Sequence, residues 1–206
     1  MMERSRFPVI PTLSSVVDRY YTRLYMCDVN GAFGEDQCVL VHSNHICLIT
    51  IAPSHPVLRV PGRSVTSIDF SITDSFSRLD NKVSGKHKKG GQMLLPESTL
   101  CTVTCSDASV YVLRACVKGT LVEVNVELQT NPLLLQEYPE TNGYVAIILP
   151  SCRNSLNFEN LISREEYQKL RTVTEEKISK EEQRGGESEP AVSESLQDSE
   201  TTNNPS

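Results

Sequence analysis

A chain of 206 residues has room for one domain with a proper hydrophobic core and an appendage, and is short for two. Its 38% of hydrophobic residues falls below the usual globular range, so part of the chain is expected to stay outside that core; its net charge of −6 argues against binding along a nucleic-acid backbone. No unbroken apolar h-region opens the chain, and no stretch reaches the roughly 18 apolar residues of a membrane span, which argues against secretion and against a membrane partner.

Residues 1–12 are expected to form a flexible N-terminus. From Ser15 to Tyr25, Val16 or Val17, Tyr20 and Leu24 recur at helical spacing and predict one short helix. Between Gln37 and Pro150 the pattern changes to short runs such as CVLVH, ICLITIA, SVTSIDFSI, LCTVTC, SVYVLRACV, GTLVEVNV and GYVAIIL, punctuated by Gly, Pro, Asn and Asp. That is the signature of a mainly β domain, placed at residues 13–152. Ser163-Arg164-Glu165-Glu166 has the form of a capping box and predicts a helix over residues 163–184. The helix's apolar positions Tyr167, Leu170 and Ile178 are sparse, and Glu165 with Lys169 and Glu176 with Lys180 sit four apart as exposed ion pairs, so it reads as mostly solvated. Residues 185–206, rich in acids and small polar side chains, bury too little apolar surface to offset chain entropy and read as a disordered acidic tail.

The chemistry-bearing residues give little sign of catalysis. Cys27, Cys38, Cys47, Cys101, Cys105, Cys116 and Cys152 form an odd set without CxxC spacing and read as reduced thiols; Cys101 and Cys105 share strand parity with Val103 and should line one apolar face. A two-residue Ser43-Asn44 turn would make His42 and His45 cross-strand neighbours and bring Cys47 near, with Cys38 in the same hairpin, a set zinc accepts. Structural zinc sites use tighter ligand pairs, so a packed hairpin with paired histidines is the stronger reading and no metal is expected. There is no Gly-x-Ser-x-Gly, no cysteine with a supporting histidine and no Walker spacing around Lys88-Lys89-Gly90-Gly91, so no enzyme is expected. With no tryptophan and 6% aromatics, the stacking platforms of single-strand binders are missing as well. Lys82, Lys86, His87, Lys88 and Lys89, with Arg78 nearby, concentrate positive charge in one glycine-flanked loop of an acidic protein. That loop is either a solvated turn or an electrostatic guide for an acidic partner, and Lys82, Lys86, Lys88 and Lys89 are the candidate partner-binding residues.

From Val83 to Pro150 the chain is similar to lipoyl and biotinyl carriers. VSGKHKKGGQML has the turn glycines and trailing apolar pair seen where such domains enter their carrier hairpin. CVKGTLVEVNVELQTNPLLLQEYPETNGYVAIILP resembles the closing segment of the glycine-cleavage H protein, through Gly119, Val124-Asn125, Pro132, Pro139 and Gly143-Tyr144. The resemblance implies a lipoyl/biotinyl-carrier-like, H-protein-like flattened β barrel-sandwich, here with a short N-terminal and a C-terminal helix. It also implies a cofactor-bearing lysine eleven residues before Gly119, but Ala108 stands there and the nearest lysine, Lys118, lies in the following strand. No cofactor and no small-molecule substrate are therefore expected.

The strings VVDRYYTRLY, EDQCVLVHSNHICLITIA, SHPVL, RLDNKVSGK, TCSDASVY and LLQEYPETNGYVAIILP, in this order, resemble the Abitram family of actin-binding transcription modulators, also called Simiate. That resemblance implies binding to actin, as monomer or filament, and modulation of its polymerisation and of filopodia and dendrites. It further implies a nuclear, transcription-modulating role that engages transcription machinery. Expected locations are the nucleus with its speckles, and the cytoplasm including lamellipodia, growth cones and dendrites. Two other readings stand beside it: a nuclear protein–protein adaptor without direct actin binding, and a lipoyl-type carrier, which Ala108 opposes.

Overall fold

The computed structural model describes residues 14–85, 89–151 and 158–185, with side chains to residue 174. Most of the expected N-terminus and tail, and Lys86, His87, Lys88 and Cys152, lie outside the described residues. The chain forms two compact units, one ending at Gln168 and the other beginning at Lys169.

Ser15 caps a single helical turn, α1 (Val16–Tyr20), by accepting the Asp18 N–H at 3.0 Å. The helical spacing expected as far as Leu24 does not persist: Tyr21–Met26 is a strand, β1. Aromatic and β-branched side chains crowd a helix but suit a pleated surface. Here they pair with β2 (Gln37–His42) in a ladder running from Tyr21↔His42 to Met26↔Gln37. After β3 (Cys47–Ile51) and the short helix α2 (Pro56–Arg59) come β4 (Val65–Asp69), β5 (Ser71–Thr73), β6 (Phe76–Ser77), a 3₁₀ turn (Arg78–Asp80) and β7 (Met93–Leu94). Then follow β8 (Thr99–Cys105), β9 (Val110–Arg114), β10 (Gly119–Val124), α3 (Glu127–Thr130), α4 (Leu134–Glu137), β11 (Ala146–Pro150), β12 (Ile162–Ser163) and α5 (Arg164–Gly185).

These strands build a seven-stranded sheet in the order β12-β1-β2-β3-β11-β10-β7, facing a three-stranded sheet β4-β8-β9 across the main core; β5 and β6 pair separately. Neither larger sheet closes on itself, and the result is the expected flattened β sandwich. The main core holds Val39, Ile49, Phe70, Leu100, Cys101, Val103, Cys105, Leu121 and Ile148, so Cys101, Val103 and Cys105 do share one apolar face. A second, smaller core lies on the outer face of the large sheet and joins Cys38, Leu40 and Leu48 to Val17 of α1 and Tyr167 of α5. Covering on both faces is why β2 and β3 read as unbroken apolar runs instead of alternating ones.

The β2–β3 connection corrects the expected turn. Its ladder pairs Val41 with Cys47, His42 N–H donates to the Ile46 carbonyl at 2.9 Å, and His45 sits at φ 71°. The loop is thus three residues, Ser43 to His45, ending in a left-handed residue, and His42 faces Ile46 instead of His45. Cys38 and Cys47 belong to opposite cores, so the four candidate zinc ligands do not converge; among the described residues no cluster of His, Cys, Asp or Glu could hold a metal.

The capping box at α5 forms as read, with Ser163 N–H on Glu166 Oε2 at 2.9 Å and Glu166 N–H on Ser163 Oγ at 3.3 Å. Its first turn is not solvated, however. Tyr167 is 5% exposed, stacks on Tyr25 with ring centroids 4.0 Å apart, and shares a hydrogen bond with Ser54 Oγ, which in turn donates to the buried Asp36 carboxylate. Burial pushes the Tyr167 phenol up to about 12. No described helix is long and apolar enough to cross a membrane.

Candidate functional site

The β8–β9 hairpin places Ala108 at its tip. The ladder runs to Thr104↔Val110, Cys105 N–H donates to the Ser109 carbonyl at 2.9 Å, and Ala108 N–H to the Cys105 carbonyl at 3.0 Å. Ser106, Asp107 and Ala108 therefore form a three-residue loop whose last residue, Ala108, is left-handed at φ 62° and exposed.

The tip is pinned to the segment before β4. Ser106 N–H donates to the Ser64 carbonyl at 2.8 Å, and the Arg63 guanidinium meets Asp107 Oδ2 at 2.6 and 2.8 Å. Arg63 also donates to the Tyr111 hydroxyl at 2.5 Å while lying 5.5 Å over its ring. Hydrogen bonds from Ser109, followed by the Arg63 guanidinium, hold the Asp107 carboxyl down at about 2. Nothing in the sequence marked Arg63, because its partners lie 44 and 48 positions away.

Gly119 and Asn125, singled out near the end of the β domain, each hold β10 or its exit against the segment around β11. Gly119 opens β10 where a Cβ would lie 2.5 Å from the Leu149 carbonyl oxygen. Asn125, nearly buried, donates through Nδ2 to the Asn142 and Tyr144 carbonyls at 2.8 and 2.9 Å and accepts Glu127 N–H at 3.2 Å. It thereby ties the start of α3 to the turn that launches β11. Lys118, expected within a strand, lies exposed in the bend just before β10, its carbonyl accepting Ser151 N–H at 3.1 Å.

Of the candidate partner-binding lysines, Lys82 and Lys89 are described, and both are exposed. They flank a narrow stem in which Ser84 and Lys89 exchange backbone hydrogen bonds at 2.9 and 3.0 Å. Gly91 seats this stem on the sheet: a Cβ there would lie 2.5 Å from Thr120 Cγ2, 2.7 Å from Val83 Cγ1 and 2.8 Å from the Leu121 carbonyl oxygen. Arg78 does not join this charge. It is 7% exposed and donates to the Thr99 carbonyl and Gln92 Oε1, both at 2.8 Å, and burial lowers its pKa.

The buried thiols sit in surroundings that disfavour the thiolate. Burial pushes Cys38 and Cys47 up to about 12 and raises Cys101 and Cys116 further, the opposite of what a nucleophile or metal ligand needs.

Residues 70–174 match the family model of the glycine cleavage H-protein. Protein Abitram of Homo sapiens is 47% identical over 164 residues, covering 79% of this chain and 88% of that one. Protein Abitram of Dictyostelium discoideum is 39% identical over 166 residues, covering 78% and 90%. Among solved structures, the glycine cleavage system H protein of Mycobacterium marinum superposes with a TM-score of 0.50 at 15% identity, covering 73% of this chain and 97% of that one, a likeness of fold alone. A carrier of this fold holds lipoate as an amide on a tip lysine. Here the tip offers the methyl group of Ala108, so the residues present do not fit that group.

Proposed function

The chain belongs to the Abitram family, and from that premise we propose a non-enzymatic actin-binding protein that modulates actin polymerisation and the dynamics of filopodia and dendrites, with a second, transcription-modulating role in the nucleus. The observation that carries the reading is the pairing of a retained carrier body with a tip that has lost its amine: an H-protein-like sandwich whose exposed hairpin ends on Ala108, pinned by Arg63. A rigid β body without cofactor chemistry is suited to presenting a contact surface. The exposed Lys82 and Lys89, with Lys86 and Lys88 between them in sequence, give an acidic protein one cationic guide toward the acidic surface of actin.

Co-sedimentation of the full chain with filamentous actin, beside a monomeric-actin control, is expected to give pelleting that weakens from low to moderate salt. Reversing charge at Lys86, Lys88 and Lys89 should slow association and flatten that salt dependence. Binding in neither assay would leave a nuclear protein–protein adaptor as the reading to pursue. The proposal also places the protein in the nucleus with its speckles and in cytoplasmic projections, including lamellipodia, growth cones and dendrites. Imaging of the tagged chain against a speckle marker and an actin marker tests this, and exclusion from both compartments would refute it.

A further inference from the structure

The outer face of the seven-stranded sheet is covered unevenly. At its β1–β2–β3 end, Val17 and Tyr167 close the second core. Toward the β10–β7 end, Leu149 and Thr120, which face each other across the β10–β11 ladder, are only partly buried, and Met93, paired with Thr120 on β7, is 63% exposed. These side chains are continuous with the basic stem. Thr120 Oγ1 donates to Met93 Sδ at 3.2 Å, Thr120 Cγ2 and Val83 Cγ1 both occupy the space a Cβ on Gly91 would need, and the Lys82 carbonyl oxygen would lie 2.8 Å from a Cβ on Gly90. Three exposed lysines adjoin these residues along the chain, Lys82 before Val83, Lys89 in the stem and Lys118 just before β10, while the exposed Glu123, bonded by the Tyr144 hydroxyl, lies on the same face beyond Thr120. A partly apolar centre with charged residues at its edge is the anatomy of a protein interface, in which a few central side chains hold the complex and rim charges set its rate of formation; here the lysines outnumber the one carboxylate.

We propose that the strip Val83, Met93, Thr120 and Leu149 is the docking surface for an acidic protein partner, with Met93 as the anchor that enters an apolar recess of that partner. The inference rests on the actin-binding reading and deepens it by naming the contact surface. Charge complementarity selects the occupant: lysines at the rim favour a carboxylate-bearing surface, and a flexible, polarisable methionine adapts to a recess it did not evolve with alone. The lysines govern how fast the complex forms and the methionine how long it lasts. Because Gly91 has no Cβ, the stem lies close against Thr120 and Leu121 of β10, with Val83 beside them.

The test is binding of the full chain to filamentous actin, read as dissociation constant and off-rate. Met93→Asp is expected to weaken binding roughly 10- to 30-fold, mostly through a faster off-rate and with the salt dependence kept. Met93→Ala, which truncates an exposed side chain and leaves the Thr120 hydroxyl to water, should weaken it less and melt like wild type. Val126→Asp, at an exposed apolar site beyond the other end of β10, should change nothing. Wild type that binds while Met93→Asp binds equally well overturns the surface assignment alone. Wild type that fails to bind actin overturns the actin reading and this assignment with it. Loss of a self-associated species in Met93→Asp, with actin binding unchanged, makes the strip a contact between copies of this chain and equally overturns the proposal.

Discussion

Replacing Gly143 with alanine is expected to lower the stability of the fold by about 3 kcal/mol, at the upper end of what overpacking costs and a large part of a typical domain's margin. A Cβ at this position would lie 2.0 Å from the carbonyl oxygen of Leu134, 2.6 Å from its carbonyl carbon and 2.9 Å from the Cα of Leu135. All three are backbone atoms of α4, so no rotamer change relieves the overlap. Nor can the helix back away easily, because Leu135 is fully buried and Gly143 N–H holds the Tyr138 carbonyl at 2.8 Å. On the other side of the glycine, Asn125 grips the Asn142 and Tyr144 carbonyls. The turn is therefore fixed from both directions, and the glycine is needed for close approach and not for backbone freedom. Chemical denaturation followed by circular dichroism measures the effect; a midpoint equal to wild type would show that α4 can move.

Lowering the pH from 7 to 4 should remove a further 3 kcal/mol or so through one side chain, His55. Its imidazole is 1% exposed, its Nδ1 accepts Val57 N–H at 3.2 Å to cap α2, and its ring meets Tyr111 edge-on at 5.1 Å. Burial pushes its pKa down from 6.5 to about 4; the nearby Asp36 carboxylate opposes this in part, and Arg63 reinforces it. Between those two values the unfolded chain binds a proton that the folded one refuses. The stabilisation is therefore complete above about pH 6.5 and is lost as pH falls toward 4, at 1.36 kcal/mol per pH unit. Denaturant midpoints at half-unit pH steps test this, with His55→Asn as the variant that keeps a capping acceptor and lacks the titration. A wild-type profile that is flat between pH 6.5 and 4.5, or one that His55→Asn reproduces, would remove His55 as the cause.

Local side-chain chemistry made much of the molecule legible. The apolar runs found their strands and Ser163 and Glu166 found each other, while the position that the H-protein resemblance counts back from Gly119, Ala108, does fall at a hairpin tip. Where reading failed, a distant partner had outweighed a local preference. Leu24 sits at helical spacing from Tyr20, yet the β2 ladder holds it in a strand. Arg78 looks like one more charge beside the lysines, but the Thr99 carbonyl and Gln92 draw it inward. Tyr167 looks like a sparse apolar residue on a solvated helix, and it proves to be the lid on Tyr25.

The sequence by itself determined most of the strands between Gln37 and Pro150 and where the α5 cap falls, because each depends on residues a few positions apart along the chain, while it was the resemblance to carriers that pointed to Ala108 as the position without an amine. Only the tertiary structure decided that β2 and β3 are covered on both faces, that Arg63 pins the hairpin tip, that His55 is buried beside Asp36, and that Val83, Met93, Thr120 and Leu149 meet beside the lysines. Those arrangements join residues tens of positions apart, and what brings them together is the packing of sheets and the close approach permitted at Gly91, Gly119 and Gly143.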